Sequence, residues 1–200
     1  MEAHLRAGIA IYNVGEYHAA HDAWEEHWLD LESGTDDELF LHGLIQFTAA
    51  VFHAHNHNWG GATGLAGSAQ EYLADLSAGY REVNVGDVRS YLATLEDDPE
   101  YIERRPPLQL THEGRVLTTE DLGFEATCVA ADVLTEEYGY DEELIEAAIE
   151  YARVAVAENE TNPFVALLFD FVRESANREI IVQRLGDHVD RVQSREDDVS

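Results

Sequence analysis

Lysine is absent from this chain of 200 residues, and all 12 of its basic residues are arginine. Set against 41 acidic residues, they leave a formal net charge of −29. A protein this acidic repels itself in dilute buffer. At molar salt the Debye length shrinks to roughly 3 Å and most of that repulsion disappears. Missing lysine and abundant acid, together with an ordinary hydrophobic fraction of 45 %, resemble the proteome style of salt-in halophilic archaea. That is the expected source environment. A basic stripe is missing as well, with Arg104-Arg105 the sole basic doublet. Nucleic acid is therefore not an expected partner, although in concentrated salt the net charge by itself argues only weakly.

Cysteine occurs once, at Cys128, so no internal disulfide can form. Its apolar helical context, with Val129 and Ala130, predicts a buried thiol without reactivity. The N-terminus shows no basic region followed by an apolar run, and no apolar stretch approaches the length of a membrane span. The expected location is the cytoplasm, with no membrane partner. Asn159-Glu160-Thr161 matches the glycosylation sequon and is expected to be idle there.

What is present is mostly helical periodicity. A first helix is expected over about 2–14, with Leu5, Ile9 and Tyr12 on one face. Asn13-Val14-Gly15 ends it. A second runs from about Glu16 to Leu31. Ser33-Gly34-Thr35-Asp36 then forms a loop and supplies an N-cap. The third, about 36–56, is apolar all round (Leu39, Phe40, Leu41, Leu44, Ile45, Phe47, Val51, Phe52), which places it centrally. A fourth helix, rich in small residues, ends near Ala78, and Asp87 is expected to cap a fifth ending near Asp97. Asp97-Asp98-Pro99 and Arg104-Arg105-Pro106-Pro107 mark a connector. Within it, Leu108-Gln109-Leu110, His112-Glu113-Gly114 and Val116-Leu117 read as a small β-hairpin. Helices follow at about 120–138, 141–158, 163–174 and 176–193. Asn162-Pro163 is an N-cap with proline at the first helical position. The expectation is an all-α protein in three parts: a helical bundle over 1–98, a connector with hairpin over 99–124, and a C-terminal helical extension over 125–200.

The chemistry-bearing groups gather on two helix faces. Positions 17, 21, 24, 25 and 28 share one side of the second helix, bringing Tyr17, His21, Trp24, Glu25 and Trp28 together. On the third helix His42, Gln46, Ala49, His53 and Asn56 recur at steps of four and three. The short loop between the two helices favours antiparallel packing. His21, Glu25, Gln46 and His53 would then converge, with Tyr17, Trp24 and Trp28 packed around them and Asn58 in the adjoining turn. An imidazole and a carboxylate one turn apart can share a metal, or the carboxylate can orient the ring. His18 and His27 are expected to face solvent, and of His53, His55 and His57 only His53 to point inward.

Three runs carry a resemblance to a known family. These are Tyr12-Asn13-x-Gly15-x-Tyr17-x-x-Ala20-His21-x-x-Trp24-Glu25-x-x-Trp28, then Gly43-Leu44-Ile45-Gln46-x-x-Ala49-Ala50-x-x-His53, then Asn58-x-Gly60-Gly61-Ala62. Over roughly residues 1–80 the chain resembles the small helical family catalogued as domain of unknown function 309. The resemblance implies a compact helical bundle of bacteria and archaea and marks these polar positions, but it implies no reaction.

Two readings of the polar set stand side by side. In one, His21, Glu25, Gln46, His53 and Asn58 form a hydrogen-bonded network that fixes helix register in a structural or protein-interaction module. In the other, the site holds a small ligand or a transition metal, with His21, Glu25 and His53 as ligands. Mixed N and O donors suit Zn, Fe, Mn or Ni. The enzyme version is a metal-dependent hydrolase with Glu25 as ligand or general base. No His-Glu-x-x-His pair and no paired Glu-x-x-His motif accompanies it, which weakens the metal reading. The broad apolar set Phe164, Leu167, Leu168, Phe171 and Val172 suggests self-association or a protein partner.

Overall fold

The apolar periodicities become helices almost where they fall in the sequence. The structure is a computed structural model that describes residues 1–199. Its described residues form ten helices and one two-stranded hairpin, an all-α architecture. The chain divides into two compact units, Met1–Leu122 and Gly123–Ser200. The connector segment 99–122 thus belongs to the first unit.

In the first unit, α1 (Glu2–Asn13), α2 (Tyr17–Trp28), α3 (Asp36–His55) and α4 (Trp59–Leu73) follow one another with short connections, and a longer one carrying a 3-10 turn at Tyr80–Glu82 leads to α5 (Val85–Asp97). Each packs on its chain neighbour up to α4 and α5, and α3 lies between α2 and α4. The central position of α3 follows from its composition: Phe40, Leu41, Leu44, Phe47, Ala50, Val51 and Ala54 are all fully buried. Each large apolar side chain so buried contributes about 1.5–3 kcal/mol relative to exposure. Phe52 departs from that expectation and is 40 % exposed.

Thr35 caps α3, its hydroxyl accepting the Glu38 amide. Asn84, not Asp87, sits at the N-cap of α5. Its carboxamide is engaged by the 109–111 segment, accepting the Thr111 amide at 2.8 Å and donating to the Gln109 carbonyl. Asp87 instead accepts from the Asn84 side chain at 3.2 Å.

After the short α6 (Tyr101–Arg104), the hairpin forms with β1 at Thr111–His112 and β2 at Arg115–Val116. These pairs flank Glu113-Gly114, whose φ angles of 52° and 73° give the left-handed pair that a tight two-residue turn requires. Asn13, the last residue of α1, holds this segment down. Its side chain donates to the Leu110 and Leu117 carbonyls and accepts the Leu110 amide, each at 2.8 Å. The Tyr12 hydroxyl donates to the Leu108 carbonyl, also at 2.8 Å.

The second unit is made of α7 (Phe124–Tyr138), α8 (Glu142–Glu158), α9 (Pro163–Arg173) and α10 (Arg178–Val199). Asn162 caps α9 by accepting the Phe164 amide at 2.8 Å, and Pro163 opens the helix as expected. The face suggested for self-association lies inside this unit. Phe164, Leu167, Leu168, Phe171 and Val172 are all buried, because α9 packs against α7, α8 and α10 at once. Cys128 is buried too, and burial pushes its thiol up to about 12, which keeps it protonated and inert.

Candidate functional site

The second helix divides its polar and aromatic groups between two neighbours. Trp24 turns to α1, where it is fully buried and donates its indole N–H to the Leu5 carbonyl at 3.4 Å. It can do so because residue 8 is glycine. A Cβ there would lie 2.1 Å from the Trp24 Nε1. Tyr17 and His21 turn to α3. Together with His18, Ala49, Phe52 and His53 they line a small cavity of about 180 Å³ between α2 and α3.

Two of the expected residues, His21 and His53, therefore meet at this cavity. His21 Nδ1 lies 2.9 Å from Asp22 Oδ1 and 4.0 Å from Glu25 Oε2. Ligand atoms of His21, Asp22 and Glu25 all fall within 4.8 Å of one another. Side-chain exposures of 28 %, 23 % and 44 % leave this trio partly solvated, so its ion pairs are screened. Gln46 is half-buried on α3, two turns before His53. Tyr17 is tied elsewhere, its hydroxyl 3.3 Å from His55 Nε2.

His53 is held by the turn that follows it. The Asn58 side-chain amide donates to His53 Nδ1 at 2.8 Å, while its oxygen accepts the Gly61 amide N–H at 3.1 Å as the N-cap of α4. The Gly61 donor settles which end of the carboxamide is oxygen. Nδ1 of His53 must then be the unprotonated nitrogen, and the ring proton of the neutral imidazole sits on Nε2. His21 has the reverse arrangement. With its Nδ1 against carboxylate, the neutral ring carries its proton there and leaves Nε2 as an acceptor.

Residues 5–65 match the family described as domain of unknown function (DUF309). No curated protein matches the chain. The match runs from α1 into the first half of α4 and takes in Tyr12, Asn13, Tyr17, His21, Trp24, Glu25, Trp28, Gln46, His53 and Asn58. The DUF309 positions therefore carry three kinds of contact here: Asn13 and Tyr12 on the 108–117 segment, Trp24 in the α1–α2 core, and His53 with Asn58 at the α3–α4 turn.

Trp28 leaves the cavity altogether. Its indole donates to Glu38 Oε1 at 2.9 Å, and its ring lies 4.6 Å from that of His42. His42 also stacks on Tyr72 at 3.8 Å, with its Nδ1 3.5 Å from Glu38 Oε1. Burial raises the Glu38 pKa, but the Gly34 amide, the Trp28 indole and His42 more than offset that, and the carboxyl ends below its usual range. This cluster closes the α2–α3 loop. Its signal in the sequence was the Thr35-x-x-Glu38 capping pattern with His42 one turn on.

His27 is not a solvent residue either. It stacks on His4 of α1 with ring centroids 5.1 Å apart and planes 19° from parallel. Burial lowers both pKa values. For His4, Glu26 opposes that lowering and the N-terminal ammonium adds to it. For His27, the ammonium and His4 add to it, while Asp30 and Asp37 oppose it. His4 Nδ1 is also buried without a hydrogen-bond partner, so a proton there would be stranded.

At this pair the native state thus takes up protons at lower pH than the unfolded chain. The contribution of this pair to stability is fully present above the ordinary histidine value of about 6.5 and is lost as pH falls from there through the lowered native values. The melting temperature should drop between pH 7.5 and 5.5. The drop should be smaller in His27→Gln, as read by circular dichroism melts at fixed salt. An equal drop in both proteins would remove this pair as the cause.

Proposed function

We propose that residues 1–122 form a non-catalytic helical module of the cytoplasm in which the motif histidines and amides hold the helices in register. The two hydrogen bonds of Asn58 carry this reading. One carboxamide joins the end of α3 to the start of α4, and in doing so it commits His53 Nδ1 as an acceptor. A His53 bound to metal through Nε2 would need its proton on Nδ1, facing the Asn58 N–H₂. Rotating that amide would instead set its N–H₂ against the Gly61 N–H. The cap and a His53–metal bond therefore compete.

A protein partner or a second copy is the proposed contact. Large apolar side chains left at the surface support it, notably Leu29 at 69 %, Val154 at 55 % and Ile180 at 54 % exposure. No helix of the described residues is long and apolar enough to cross a membrane. Nucleic acid is not proposed, since a single basic doublet offers phosphates little to pair with, and the net charge of −29 adds only weakly to that in concentrated salt. The same acidity supports a halophilic archaeal source and an acidic surface adapted to concentrated salt.

A second reading is favoured by the His21, Asp22 and Glu25 cluster, whose donor set suits a transition metal. In that case Asp22 joins His21 and Glu25, and His53 is the residue set aside. A hydrolytic metal site is the enzyme form of this reading.

Double-mutant cycles separate the two. His53→Ala and Asn58→Ala should each cost about 0.5–1.5 kcal/mol of unfolding free energy, and the double variant less than their sum. The protein, purified untagged from molar salt, should carry no stoichiometric Zn, Mn, Ni or Fe by element analysis and gain no stability when these are added. One transition metal per chain, lost in His21→Ala, would overturn the structural reading. So would strict additivity in the cycle. The melting temperature should also rise from 0.2 to 2 M KCl, and a flat profile would contradict the salt adaptation.

A further inference from the structure

The first unit has a second concavity, which shares Tyr17 with the histidine cavity. It is a cleft of about 780 Å³ whose walls include Tyr12, Tyr17, Asp87, Pro106, Pro107 and Gln109. This volume is in the range of pockets that take small organic molecules, roughly 300–1,000 Å³. It exists because Asn13 and Tyr12 pin the 108–117 segment against the end of α1, and Asn84 pins the same segment to the start of α5.

Its polar inventory is lopsided. Several donors near it are spent on the fold, while the Gln109 amide and the Thr111 hydroxyl stay at the wall. Both amide contacts of Asn13 go to the Leu110 and Leu117 carbonyls, and the Tyr12 hydroxyl goes to the Leu108 carbonyl. The Asn84 amide is divided between Asp87 and the Gln109 carbonyl. Pro106 and Pro107 have no N–H to offer. The walls also present a carboxylate, proline rings and the half-buried Tyr17. Asp87 is the one charged residue among the lining residues, and the neutral Asn84 amide donates to it at 3.2 Å.

A cleft lined by one carboxylate and no cationic side chain, with tyrosine and proline walls, suits a ligand that is positive and flat. We infer that this cleft binds a small organic cation of the amidinium or guanidinium class. Two parallel N–H bonds would reach the Asp87 carboxylate, and the apolar body of the ligand would lie against Tyr17 and the Pro106-Pro107 pair. A fork-on-carboxylate contact is bidentate and short. It therefore lies within the roughly 3 Å screening length of molar salt and survives where longer-range attraction does not. The inference is independent of the role proposed for His53 and Asn58.

Benzamidine, benzamide and benzoate supply the test, because they share a ring and differ in charge and donors. The full chain is titrated with each in 2 M KCl and followed by amide chemical shifts. Benzamidine should give saturable shifts centred on Val14, Gly15, Gln109 and Thr111. Benzamide should bind at least roughly tenfold more weakly, a difference of about 1.4 kcal/mol, and benzoate should not bind. Asp87→Asn should weaken benzamidine by a similar factor. Glu146→Gln, which changes the net charge equally but lies in the second unit, should leave it unchanged. The inference fails if benzamidine produces no saturable shifts at the cleft or if benzamide matches it. Equal losses in the two charge variants would also sink it, since that would assign the attraction to the overall field of the protein. The ligand series needs no variant, so a folding defect in Asp87→Asn would leave the test intact.

Discussion

The first unit turns on one carboxamide. Helix α3 is its apolar centre, and α4 must fold back along it within the few residues between His55 and Trp59. Asn58 makes that reversal specific. It satisfies a backbone N–H that the start of α4 would otherwise leave open, and it takes up the ring nitrogen of the last inward histidine of α3. Small residues in α3 and α4 then let the pair close. A Cβ on Gly43 would come within 2.5 Å of the Leu73 side chain. On the proposed reading the polar bond and the glycine space act together, the first setting the register in which the second is useful.

The same economy recurs at the other polar motif positions. Asn13 ends α1 and satisfies three backbone groups of a segment about a hundred residues further on. Glu38 sits one turn into α3 and gathers the Gly34 amide, the Trp28 indole and His42. In each case a side chain that could have served chemistry is committed to a helix end or a loop. Such groups stabilise modestly when paired and cost more when one partner is removed. What stays less committed is His21 with its carboxylates at the cavity, and Asp87 at the cleft.

The helices were legible because each has one apolar period, and that period survives whatever the tertiary arrangement. The Asn162-Pro163 start and the buried Cys128 were legible for the same local reason. The site was legible only in part. Helical spacing puts Tyr17, His21, Trp24, Glu25 and Trp28 on one side of α2, but that side is wide enough to meet two neighbours. Trp24 packs into Gly8 of α1, His21 faces α3, and Trp28 reaches the Glu38–His42 cluster at the α2–α3 loop. Which residue meets which depends on the rotation of α2 about its axis, and a helical wheel does not contain that angle. The α9 face shows the same limit. Its apolar period was plain, but whether it would be covered by three sister helices or by a partner was a question of topology. The hairpin fell slightly off the expected strands, because the left-handed Glu113-Gly114 pair, rather than the apolar Leu108 and Leu110, determines where the ladder forms.

The most direct test of this account is the tautomer of His53. Nitrogen-15 shifts and long-range nitrogen–proton couplings of the imidazole, measured at pH 7.5 in molar KCl, distinguish a protonated Nε2 from a protonated Nδ1. The account predicts the Nε2–H form, with an unprotonated Nδ1 that accepts from Asn58, and a shift toward the ordinary tautomer mixture in Asn58→Ala. A His53 that carries its proton on Nδ1, or whose tautomer is indifferent to Asn58→Ala, would contradict it and return His53 to the set of available ligands.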